Sequence, residues 1–96
     1  MKMHVLVYGR DVDEDVIAAL KKAGITAYTK MQEVCGEGVE TEPRLGTRIW
    51  PGTNNVLFVA MPDEQIPVFR DIVVRLKASH PRARIRGFTL PLEESF

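Results

Sequence analysis

Residues 56–81, VLFVAMPDEQIPVFRDIVVRLKASHP, hold the change of pattern that decides the fold. Residues 56–61 are apolar at every position and stop at Pro62, which predicts a buried strand. After Pro62-Asp63 the period changes, and Ile66, Phe69, Ile72, Val73 and Leu76 recur at helical spacing along one face. Pro67 falls in the first turn, where a missing amide hydrogen costs no intrahelical bond. His80-Pro81 closes the helix.

Working outward, residues 3–8 (MHVLVY) predict a first strand, ended by Gly9-Arg10. Asp11 and Asp13 are suited to cap the helix that follows, and Glu14 and Asp15 place negative charge where the helix dipole favours it. Val12, Val16, Ile17, Leu20 and Ala23 form its apolar stripe, with Gly24 at the stop position. Residues 25–35 (ITAYTKMQEVC) are β-branched and partly alternating and predict a second strand; residues 83–90 predict a fourth. Between strands two and three, residues 36–55 carry four glycines and two prolines, read as a long functional loop or a loop with short strand extensions. The order β-α-β-β-α-β is the ferredoxin-like α+β arrangement, four antiparallel strands with both helices on one face. One such domain accounts for residues 1–96.

Composition narrows the function. The 13 Lys and Arg balance 13 Asp and Glu, so the chain lacks the basic excess of a nucleic-acid binder. Cys35 is the single cysteine, which excludes an intramolecular disulfide and fits a reducing compartment. No apolar run approaches the roughly 18–20 residues that span a bilayer, and the first residues show no signal-peptide pattern. A cytoplasmic location is expected.

The strands are apolar on both sides. Met3, Val5 and Val7 alternate with His4, Leu6 and Tyr8, and Val56, Phe58 and Ala60 alternate with Leu57, Val59 and Met61. Two helices cover only one sheet face, so the other predicts a homo-oligomer built sheet to sheet. The alternative is a face covered by the long loop.

No nucleophile–base pair stands out, and the chain reads as non-enzymatic. Two patterns suggest a ligand. Cys35-Gly36-Glu37-Gly38 ends a strand in G-x-G, which lets a ligand approach main chain closely or simply makes a turn. Arg82, Arg84 and Arg86 enter the last strand at two-residue spacing. On a strand that spacing sets three guanidiniums on one face, suited to phosphate or carboxylate, or to protecting a sheet edge.

Three segments in order resemble the PII family of nitrogen-regulatory signal-transduction proteins. These are residues 18–38 (AALKKAGITAYTKMQEVCGEG), 61–65 (MPDEQ) and 88–94 (FTLPLEE). The resemblance implies a homotrimer with the sheets facing its centre, an adenine nucleotide or other anionic small molecule in clefts between subunits, and control of a partner through the long loop. A membrane transporter is a candidate partner. Carried over by position, Gly36 and Gly38 form the loop base, Arg86 stands at a phosphate-contacting lysine, and Arg84 lies beside it. Arg44, Arg48 and Trp50 would meet the partner. The family's glycine-rich phosphate loop has no counterpart, because residues 79–86 (SHPRARIR) contain no glycine. The loop also lacks a tyrosine for uridylylation. The alternative is a trimeric metal-binding protein of CutA type, using Cys35, His4, methionines or the loop acids Glu37, Glu40 and Glu42.

Overall fold

The structure, a computed structural model, describes residues 1–37 and 52–96. Strand β1 (Lys2–Gly9) leads through a 3-10 turn (Arg10–Val12) into helix α1 (Asp13–Lys22) and then β2 (Thr29–Val34). Strand β3 (Asn54–Met61) leads through a second 3-10 turn (Asp63–Gln65) into α2 (Ile66–Ser79) and β4 (Arg86–Pro91). The strands form one antiparallel sheet in the order β2-β3-β1-β4. This is the ferredoxin-like topology that the alternation of patterns implies.

Residues of one parity face the helices. Leu6 and Tyr8 of β1 and Leu57, Val59 and Met61 of β3 are buried against Val16 and Leu20 of α1 and Phe69, Ile72, Val73 and Leu76 of α2. These are the stripes read from the periodicity, except that Val12, Ile17 and Ile66 are half-buried and Ala23 is exposed. Gly24 takes φ +83°, the left-handed conformation that terminates α1 and that a side chain would strain.

Three boundaries differ from those expected. Strand β2 begins at Thr29 rather than residue 25, because the Ile25 amide is donated to the Leu20 carbonyl at 2.9 Å and so completes the end of α1. Strand β3 begins at Asn54, paired with Gly9, two residues earlier than the apolar run suggests. Strand β4 begins at Arg86, not residue 83, because residues 80–83 form a turn in which the Ala83 amide bonds the His80 carbonyl at 3.0 Å.

Among the described residues, no helix lies on the other sheet face. Across the strands, Met31 sits beside Val56, Val5 lies between Phe58 and Phe88, and Met3 lies between Ala60 and Leu90. Phe88 is 51% exposed, and Leu90 and Met31 are each 48% exposed. The residues described leave this apolar face open.

Candidate functional site

At the end of the sheet where β1 finishes, the Gly9 amide is donated to the Ala83 carbonyl at 2.8 Å and the Arg10 amide to the Thr53 carbonyl at 3.0 Å. These bonds tie the approach to β4 and the start of β3 to one place. Gly36 lies beside them, and a Cβ there would meet Asn54 Nδ2 at 3.2 Å, so a larger residue would push that amide aside. Thr53 Oγ1 and Asn54 Oδ1 are buried here without a hydrogen-bond partner among the described residues. Buried polar atoms are ordinarily satisfied, so this junction has unused hydrogen-bonding capacity.

The arginines follow a different path from the one their spacing implies. Arg82 belongs to the turn, and Arg84 takes φ +55°, which breaks the alternation before β4 starts. The three guanidiniums therefore do not share a strand face. Arg84 and Arg86 instead line a cleft of about 390 Å³ with Lys77, His80, Pro81 and Ile85. Lys77 and His80 were not legible as part of this group, because they become its neighbours only when α2 ends and the chain turns back. His80 Nε2 also lies 3.4 Å from Asp15 Oδ2 at the start of α1.

Gly36 and the arginine cleft occupy the same end of the sheet but opposite edges, β2 on one side and β4 on the other. Three strand spacings separate those edges by roughly 14 Å. Gly38, Arg44, Arg48 and Trp50 lie outside the described residues.

A polar cluster that the sequence did not announce underlies the loop base. Asp13 does not cap α1 with its side chain; Val12 occupies the cap position, and neither Asp11 nor Asp13 serves as the expected cap. The Asp13 carboxylate instead accepts from Tyr8 Oη at 2.5 Å, Asn55 Nδ2 at 3.0 Å and Lys30 Nζ at 2.8 Å. Burial pushes its carboxyl pKa up, but the bonds from Lys30, Tyr8 and Asn55 outweigh this and hold it below the usual carboxylate range. Burial, with Asp13 as neighbour, raises the Tyr8 phenol far above its ordinary value, so it stays a donor. Asn55 Oδ1 accepts the Glu33 amide at 3.2 Å, and Arg10 pairs with the Glu33 carboxylate at 2.5 Å. The pair Asn54-Asn55 at the head of an apolar strand was the one available signal.

His4 is buried, stacked on Phe69 with ring centroids 4.4 Å apart, and Nδ1 lies 2.7 Å from Thr89 Oγ1. Its Nε2 has no partner among the described residues. Burial lowers its pKa, partly opposed by the Phe88 carbonyl and assisted by the Arg70 charge. Cys35 is exposed, whereas His4 faces the core. Among the described residues no three His, Cys, Asp or Glu side chains group as a metal site. Nor, among them, is any helix long and apolar enough to cross a membrane.

No protein-family model matches the chain. No curated protein matches it either. Among solved structures, the chain is similar to CPII, a nitrogen regulatory PII-like protein from Thiomonas intermedia K12 determined with ADP, AMP and bicarbonate. The two superpose with a TM-score of 0.74 over 99% of this chain and 92% of that one, at 14% sequence identity. The chain therefore has the fold of the PII-like proteins, with a divergent sequence.

Proposed function

We propose that the protein is a non-enzymatic PII-like regulator that binds an anionic small molecule between the copies of a homotrimer. In this reading the ligand meets Gly36 and Gly38 of one copy and Arg84 and Arg86 of another, and its binding controls a partner protein through the long loop, residues 36–55. The observation that carries the reading is the placement of Gly36 and the arginine cleft at one end of the sheet but on opposite edges. A ligand touching both groups is served best by two adjacent copies, and the open apolar face supplies a reason for copies to meet.

Guanidiniums take the place of the missing glycine-loop amides. They favour ligands whose charge is concentrated on phosphate or carboxylate oxygens, which planar donors grip in pairs. The nucleotides and bicarbonate bound by the similar structure belong to this chemical class. Ordering of a loop by differential ligand affinity is sufficient to transmit occupancy to a partner.

Sedimentation at micromolar concentration followed by calorimetric titration with ATP, ADP, AMP and bicarbonate tests the proposal. A trimer that releases or absorbs heat with at least one of them, and loses that heat in Arg86→Ala, supports it. A monomer overturns the shared site, and a trimer silent to every titrant overturns this choice of ligand class.

A further inference from the structure

A groove of about 420 Å³ runs between α1 and α2, on the side of the molecule away from the open sheet face. Ala19, Ala23, Ile72 and Leu76 line it together with Lys22, Arg75 and Ser79. Val68 precedes Ile72 by four residues, so it extends the same stripe along α2, and it is 46% exposed. The groove thus combines apolar residues of both helices with two cationic side chains. Lys22 has no ion-pair partner among the described residues, and Arg75 pairs only at the surface, with Asp71 at 2.9 Å.

The same chain carries a segment of opposite character. Beyond β4, Leu92 is held by a 3.4 Å bond from its amide to the Met1 carbonyl, but residues 93–96 (EESF) are exposed. Glu93 and Glu94 make no ion pair among the described residues, and the Phe96 ring is fully in solvent. An exposed benzyl group beside two carboxylates complements an apolar lining beside two cations.

We propose that this groove receives residues 93–96 of a second copy of the chain. Phe96 lies against Ala19, Ile72 and Leu76, and Glu93 and Glu94 meet Lys22 and Arg75. The chain's own segment is badly placed to do this. α2 packs over β4, as the 3.7 Å approach of Val73 to a Cβ built on Gly87 shows, so α2 stands between β4 and the groove. Four extended residues span at most about 14 Å, less than the roughly 16–19 Å half-circumference of a helix about 10–12 Å across. A second copy meets no such obstacle.

The test replaces Phe96 with the photoreactive analogue benzoylphenylalanine in the full chain, mixes equal amounts of isotopically heavy and normal protein, and maps cross-links by mass spectrometry. Heavy-to-light cross-links joining residue 96 to residues 19–23 or 68–79 are expected. Lys22→Glu with Arg75→Glu should lower their yield about tenfold, as two attractive pairs become repulsive. Glu93→Lys with Glu94→Lys on the photoreactive copy should restore it. Circular dichroism checks that these surface variants are folded. Cross-links confined to one copy, directed to the open sheet face, or indifferent to charge reversal overturn the proposal. Because the readout is position rather than mass, it holds whether or not the copies also meet through their sheets.

Discussion

Asn55 Oδ1 accepts the Glu33 amide at 3.2 Å at the place where β2 slips register against β3, between Met31 and Val34. Glu33 there takes φ +56°, a conformation that side chains other than glycine adopt at a cost. The Asn55 amide is donated in turn to Asp13 at 3.0 Å. One side chain thus links the irregular part of β2, just before Cys35-Gly36, to the first residue of α1.

The Asp13 carboxylate should be the most sensitive polar position of this cluster. Asp13→Ala removes the acceptor of Tyr8, Lys30 and Asn55 together and should destabilise the protein by about 2–3 kcal/mol, whereas Tyr8→Phe should cost about 1 kcal/mol. Urea unfolding measures both. A loss below about 0.5 kcal/mol in Asp13→Ala would show that solvent takes over these bonds.

Backbone conformation should rank substitutions at Glu33. Glycine relieves the left-handed conformation, so Glu33→Gly should be neutral to about 1 kcal/mol stabilising despite losing the exposed pair with Arg10. Glu33→Val should destabilise by more than 1 kcal/mol or so, since a β-branched residue tolerates positive φ poorly. Equal stabilities for the two variants would mean that the bulge relaxes freely.

Stability should fall in acid as two groups take up protons. His4 has a folded pKa below its ordinary 6.5, so the unfolded chain binds its proton first. Its contribution is complete above that value and declines as pH drops through the folded value. Asp13 is likewise depressed below 3.8, and its contribution is lost as pH falls through its folded value. His4→Phe should remove the His4 part of this loss and leave the Asp13 part. Unfolding midpoints from pH 8 to pH 3 or so measure this; an unchanged slope in His4→Phe would assign the loss elsewhere.

An acidic residue on the open face should separate copies without unfolding them. Phe88→Asp places charge at a position already 51% exposed, away from the helix-covered core. Its circular dichroism should match the parent while its sedimentation coefficient drops to that of one chain. An unchanged coefficient would show that association does not use this face.

The layered architecture was legible because it rests on local periodicity. Leu57, Val59 and Met61 of the run and the stripe Phe69, Ile72, Val73 and Leu76 bury their side chains against each other, as the two periodicities imply. Features set by distant partners were not legible. Asp13 looks like a capping acid from its neighbours, yet two of its partners lie 17 and 42 residues away. The arginine spacing suggested a strand, but Arg84 at φ +55° turns the chain, and a two-residue repeat carries no sign of that turn. The doubly apolar strands did reveal a second apolar sheet face opposite the helices, because alternation fixes which residues share a side.

The four-residue cluster around Asp13 also constrains how the sequence can drift. Tyr8, Asp13, Lys30 and Asn55 come from three strands and a helix, and the other three all donate to the Asp13 carboxylate. Replacing that acid alone leaves a buried phenol and an amide without their acceptor, so concerted exchanges cost less than single ones. Across diverged relatives these four columns should covary as a block, while the loop they support remains free to diversify.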